Sequence, residues 1–205
     1  MEYLHRRKEA PMQGLSGLWG GVGSNLTGGT GTLTSGTTGY TLPISGGNSW
    51  FSYGHYGYED QPSYQFPADR TVKNLYGQRT QDGAYQWWFV VWQMNGSNNF
   101  TLRYGSRIAV PSGTGTGQYG PYDLSTFTTT GNATTPSSGS FCMGWNSGVS
   151  GDQQTGPPHY VDATEGGTIG YYPHPSPNPS SGEQVTFNSN ETGQNFHCHV
   201  TWDDS

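Results

Sequence analysis

Glycine and proline punctuate this chain too often for long helices to form. It carries 33 glycines and 13 prolines in 205 residues, and a Gly inside a helix costs roughly 1 kcal/mol and a Pro about 3 kcal/mol relative to Ala. No window shows apolar residues recurring at i, i+3, i+4 and i+7, so the stripe that would dock a helix is missing as well. What remains is a series of short apolar runs bounded by Gly, Pro, Asn and Ser, the pattern of strands and turns. The expected fold class is all-β: an antiparallel β-sandwich or jelly-roll-like domain.

The strongest local signal is the pair 85–94 (YQWWFVVWQM) and 100–104 (FTLRY), separated by NGSNN. The first segment is apolar on both faces and predicts a central strand covered twice. The second alternates Phe100, Leu102 and Tyr104 against Thr101 and Arg103, which predicts one wet face. A five-residue loop containing Gly suits a hairpin, and residues 108–110 extend the returning strand after a bulge near Gly105. Further strands are expected at 40–44, 49–53, 124–129, 140–145, 159–163, 168–172, 184–188 and 196–202. Residues 53–66 (YGHYGYEDQPSYQF) read as an aromatic, turn-like stretch. No repeat of 20–50 residues is visible, which argues against a solenoid or propeller.

Hydrophobic residues of all kinds make up 30% of the chain and aromatic residues 14%. Each large ring buries roughly 150–250 Å², so an aromatic core replaces the missing aliphatics. Two cysteines, Cys142 and Cys198, are too few for a disulfide framework, and buried free thiols are the expected state rather than a bridge between them.

Charged residues are 11% of the chain, against roughly 25% in ordinary soluble domains. A surface built from Ser, Thr, Asn, Gln and Gly suits an extracellular or virion exterior. Five N-x-S/T sequons, at Asn25, Asn95, Asn99, Asn132 and Asn190, are close to chance in so hydroxyl-rich a sequence. From residue 10 onward there are five basic against twelve acidic groups, which argues against nucleic-acid binding by the body. Residues 1–13 have no apolar stretch after their charges, so no secretory signal is expected there. No run of 18 apolar residues predicts a membrane span.

Arg6, Arg7 and Lys8 open the chain, followed by a Gly/Thr-rich stretch at 14–39 with widely spaced apolar residues, among them Leu15, Leu18 and Trp19. Such a segment cannot bury a core by itself. Residues 1–38 therefore read as an extended N-terminal arm whose basic triplet and apolar anchors contact a partner, and 39–205 as the β-sandwich domain. A flexible linker with a solvated basic end is the plainer reading of the same residues.

Few constellations suggest chemistry. In FHCHVTWD (196–203), His197 and His199 share one strand face with Asp203 close behind, a weak candidate metal set. Two histidines on the wetter face of a terminal strand explain the same spacing without a metal, so neither a metal nor any other cofactor is expected. Trp50, Tyr53, Tyr56 and Tyr58 could stack on a sugar, or equally serve as interface anchors. Glu59 and Asp60 are adjacent and cannot flank a glycosidic bond from opposite sides. Walker, dinucleotide, nucleophile-elbow and CxxC patterns are missing, and the expectation is a protein that is not an enzyme.

In style, the charged leader running into a Leu/Trp-anchored Gly-rich arm (HRRKEAPMQGLSGLWGGVG), the scarcity of lysine and the Thr/Gly/Ser-rich loops between aromatic segments resemble structural proteins of tailed phages and related viruses. The similarity is to capsid decoration proteins and to fibre or knob modules. That resemblance implies a virion structural protein, assembled in the host cytoplasm, whose partners are other virion proteins and copies of itself. The alternative is a secreted, extracellular carbohydrate-binding β-sandwich with a glycan as its partner.

Overall fold

The computed structural model describes residues 36–39, 55–58, 64–79, 85–96, 98–111, 117–146, 159–161, 168–172, 178–187, 189–192, 194–196 and 198–204. Their strands, in chain order, are β1 (Thr37–Gly39), β2 (His55–Tyr58), β3 (Gln65–Phe66), β4 (Arg70–Arg79), β5 (Tyr85–Met94), β6 (Asn99–Val110), β7 (Gly117–Asp123) and β8 (Thr129–Gly131). They continue with β9 (Ser140–Asn146), β10 (His159–Val161), β11 (Thr168–Tyr172), β12 (Gln184–Thr186), β13 (Ser189–Thr192), β14 (Gln194–Phe196) and β15 (Cys198–Asp204). The larger sheet runs β12-β6-β5-β9-β2-β11-β13, with β3 pairing to β9 and β8 to β6; the smaller runs β1-β15-β4-β7, and β10 pairs with β14. These ladders are antiparallel, and no α-helix occurs among the described residues. The architecture is the expected antiparallel β-sandwich.

Strand β5 sits near the middle of the larger sheet and is buried on both faces, as its unbroken apolar run predicts. Trp87, Phe89 and Val91 point into the layer between the sheets, in one cluster with Val72 and Leu75 of β4 and Val200 of β15. Trp88, Val90 and Trp92 point the other way and cluster with Phe100, Leu102 and Phe187. Phe187 packs edge-on against Trp92 (centroids 5.7 Å apart) and Phe100 (4.4 Å). Those rings lie over Gly57, where an added Cβ would stand 3.0 Å from Phe187 and 3.1 Å from Trp92. The strand here has no side chain because the rings occupy its space. Cys142 lies in the cluster with Trp92 and Cys198 in the layer between the sheets; both are buried and neither is in a disulfide.

The turn between β5 and β6 closes with Asn95 N–H donating to the Asn99 carbonyl (2.8 Å) and Asn99 N–H to the Gly96 carbonyl (3.0 Å). Gly96 and Asn98 take positive φ, 117° and 60°, the conformation these residue types tolerate best. Further along, Val91 pairs with Tyr104 but Trp92 pairs with Leu102, so Arg103 is an extra residue without a cross-strand partner: a β-bulge. Because side chains alternate with period two, one inserted residue turns the strand over. Phe100 and Leu102 thus face one core, while Tyr104, Ile108 and Val110 face the other. The expected bulge exists two residues before Gly105, and Tyr104 leaves the face it was expected to share with Phe100 and Leu102. Beyond the bulge one face is wet, as Arg107 and Ala109 are exposed.

Other expectations change. Residues 124–128 are not a strand, and only Thr129 of the expected run enters one, β8: Leu124–Thr126 form a turn of 3-10 helix, capped by Asp123, whose carboxylate accepts from Ser125 N–H at 2.9 Å. The buried Leu124 carbonyl accepts from Ser106 Oγ (3.0 Å) and Tyr104 Oη (3.3 Å). Within the stretch expected to be turn-like, residues 55–58 form β2, and the strand expected over 196–202 appears as β14 and β15. Strands β1, β4 and β7, three of the four in the smaller sheet, were not foreseen. The expected strands at 40–44 and 49–53 lie outside the described residues.

Candidate functional site

The bulge at Arg103 builds a polar patch at the end of the larger sheet. Gln93 of β5 lies opposite Thr101 of β6, Thr101 opposite Gln184 of β12, and Asn99 opposite Thr186. Directly paired residues share a face, so these five side chains form two rows across the sheet. Arg103 joins them: its Nε donates to Gln93 Oε1 at 2.6 Å. Asn95 Nδ2 donates to Thr101 Oγ1 (2.7 Å), and Thr186 Oγ1 donates to Asn99 Oδ1 (2.8 Å).

The segment 182–187 is tied to the hairpin by its backbone. Gly182 N–H donates to the Leu102 carbonyl, Leu102 N–H to the Glu183 carbonyl, and Phe187 N–H to the Asn98 carbonyl, at 2.8, 2.9 and 2.8 Å. Together these residues line a half-open groove of about 830 Å³, made by Asn95, Asn99, Thr101, Arg103, Gln184 and Thr186 with Phe100, Gly182 and Val185. Phe100 and Val185 are 1% and 5% exposed, so their rings and methyls are spent on the core beneath. Arg103 is the one charged residue in this lining. Glu183, between Gly182 and Gln184 in sequence, accepts the Ser180 N–H at 3.1 Å with its carboxylate and takes no part in the lining.

The residues that sequence alone singled out fall elsewhere. Tyr56 and Tyr58 lie on β2, paired to Trp145 of β9 and Ile169 of β11, within a sheet and not on a loop. His199 stacks on Tyr76 with ring centroids 4.7 Å apart and planes 13° apart. Asp203 is four residues further along the same strand, a rise of about 13 Å, and its carboxylate meets Lys73 Nζ at 3.3 Å. That distance keeps His199 and Asp203 from sharing one metal. No cluster of three metal-ligating side chains occurs among the described residues. Arg6, Arg7, Lys8, Leu15, Leu18, Trp19, Trp50, Tyr53 and His197 lie outside the described residues.

Two ionisable groups beside the β7–β8 connection are shifted from their ordinary values. Burial pushes the Tyr104 phenol up to about 12; the Ser106 hydroxyl pulls it down and the Asp123 charge adds to the rise. The Ser125 hydroxyl and backbone N–H hold the Asp123 carboxyl below its usual range. Both groups organise the β7–β8 connection.

The first described residues, 36–39, mark where the leader joins the body. Strand β1 is one of the two edge strands of the smaller sheet, pairing Thr37, Thr38 and Gly39 to Thr201, Val200 and His199 of β15. The Trp202 N–H donates to the Gly36 carbonyl at 2.7 Å. Residues 37 and 38, read from sequence as the end of the arm, are part of this sheet. Among the described residues no helix is long and apolar enough to cross a membrane. Comparison with protein-family models, with curated proteins and with solved structures finds no match.

Proposed function

We propose that this protein is a structural subunit of a virus particle, of the capsid-decoration or fibre-associated kind. Its β-sandwich forms exterior surface, and its N-terminal leader binds neighbouring subunits. The observation that carries this reading is the position of β1: residues 1–35 attach at the rim of a sheet, where a chain can run outward onto another molecule. An edge strand is also the natural place for one chain to pair with another. Support comes from the leader itself, whose Arg6, Arg7 and Lys8 complement an acidic body and whose Leu15, Leu18 and Trp19 have the spacing of anchors across a surface. Exposed positions such as Ser125, Thr126, Thr128, Asn132 and Gln184 give the weakly charged, hydroxyl- and amide-rich exterior of a particle surface.

Light scattering on the full chain and on a form beginning at Gly36 tests the proposal. The full chain is expected to form a defined oligomer, and the shortened chain to remain a folded monomer with an unchanged far-ultraviolet β spectrum. A full chain that stays monomeric at millimolar concentration, with its leader protected from protease by its own body, overturns it.

A further inference from the structure

We infer that the groove between β6 and β12 is a binding site for an oligosaccharide that carries a carboxylate. Arg103 would take the carboxylate, and Asn95, Asn99, Gln184 and Thr186 would read the ring hydroxyls. This goes beyond the structural role proposed above and does not depend on it, since the site lies wholly within one folded chain.

The volume comes first. About 830 Å³ falls within the roughly 300–1,000 Å³ of small-ligand sites. Its chemistry is unusual for such a site, because the apolar side chains below it face the core and the groove offers chiefly amides, hydroxyls and a guanidinium. A ligand held there must be satisfied by hydrogen bonds at many points, and carboxamides and hydroxyls can both donate and accept. Neighbouring strands are about 4.8 Å apart, and same-face residues of one strand about 6.6 Å apart. That grid is comparable with a pyranose ring and its substituents.

Charge narrows the class. The protein carries a net charge of -6, yet the groove holds a single charged side chain and it is cationic. Arg103 is presented by the bulge, a device that redirects side chains beside binding sites. Gln93 Oε1 accepts from Nε and thereby fixes the guanidinium plane. The described residues place no hydrogen bond on the two terminal nitrogens, which can form a bidentate fork to a carboxylate. Fixing that plane before the ligand arrives lowers the ordering cost of binding.

The test uses the full chain expressed in bacteria, so that the sequons at Asn95 and Asn99 carry no glycan. Trigalacturonate and 3′-sialyllactose are titrated against neutral maltotriose and lactose, and against acetate, following amide resonances by heteronuclear NMR. At least one acidic sugar is expected to bind with a Kd on the order of 0.1–1 mM. Resonances of 95–103 and 182–186 should shift, and the neutral sugars should bind at least about tenfold more weakly. Arg103→Lys keeps the charge but loses the fork, and should weaken acidic-sugar binding about tenfold. Gln184→Ala, on the exposed edge strand, should weaken it several-fold without touching the bulge. Equal affinity for acidic and neutral sugars, or acetate binding as tightly as the sugars, overturns the inference. So does the absence of binding by either acidic sugar at 20 mM, an approximate ceiling about twentyfold above the weakest expected Kd.

Discussion

Deleting Arg103 removes the residue that turns β6 over, and the structure indicates which half of the strand will give way. Without the extra residue, one side of the bulge must present its opposite face to the cores. If the far half turns, Tyr104, Ile108 and Val110 leave the layer between the sheets and Arg107 is driven into it. If the near half turns, Phe100 and Leu102 leave their cluster and Thr101 enters. Burying each such side chain is worth roughly 1.5–3 kcal/mol. The first route forfeits about 4–9 kcal/mol and must also desolvate a guanidinium; the second forfeits about 3–6 kcal/mol. The near half should yield. These figures are upper bounds because an unfolded chain already hides some apolar surface, but they are large against a total stability of roughly 5–15 kcal/mol. Urea unfolding followed by tryptophan fluorescence should show a loss of about 3–6 kcal/mol. In NMR spectra the resonances of 95–102 and 184–187 should move, while those of Ile108 and Val110 hold. Arg103→Ala, which keeps the residue count, should stay within about 1 kcal/mol of the parent. A deletion variant within about 1 kcal/mol of the parent, or one disturbed chiefly at 108–110, would refute the reasoning.

Two further substitutions probe the layer between the sheets. A Cβ at Gly77 would overlap the ring of Tyr119 on β7, which is 7% exposed and stacks on Tyr122. Gly77→Ala should therefore cost about 1–3 kcal/mol in urea unfolding, and a cost that survives unchanged in a Tyr119→Ala background counts against the overlap. For Tyr104, with a phenol pKa of about 12 in the folded protein and about 10 when unfolded, the neutral form is the one the fold prefers. Its contribution is fully present below pH 10 and is lost as pH rises through 12, because the unfolded chain releases the proton first. Between those values the parent should lose on the order of 2 kcal/mol more than Tyr104→Phe. Parallel loss in the two proteins would show that the phenol does not titrate as its burial implies.

Where the sequence was legible, one residue type at a time carried the signal. The run YQWWFVVWQM has no polar residue between Trp87 and Trp92, and only a strand covered on both sides accommodates that. Strand β4 was harder to read. Val72 and Leu75 both point inward although they are three apart, because β4 carries its own irregularity opposite Val200 and Trp202, so RTVKNLYGQR shows no alternation. Strand β7 (GQYGPYD) owes its place to Tyr119 lying over Gly77, a pairing between strands some forty residues apart that no local pattern reveals. Residues 124–129 misled for the opposite reason: their apolar residues suggest a strand, but Asp123 followed by Ser125 caps a tight turn first.

The groove was invisible for a related reason, and its origin in a packing constraint follows from the same bulge. Asn95, Asn99, Thr101 and Arg103 looked like a loop and the polar side of a hairpin. Gln184 and Thr186, more than eighty residues away, fell within another expected strand, at 184–188. They share one face only because Phe100 pairs with Val185, while Phe100 and Leu102 must reach the cluster around Trp92. Tyr104, Ile108 and Val110 must reach the opposite core. A strand of strict alternation cannot serve both, and the inserted residue that resolves the conflict is left without a cross-strand partner. An apolar residue there would be exposed or strained; a long cation can lie back along the sheet and donate a hydrogen bond to the side-chain oxygen of its neighbour Gln93. The packing of two cores on one sheet thus sets a single cation among uncharged polar groups, and an anionic, hydroxyl-rich ligand is the chemistry that arrangement can hold.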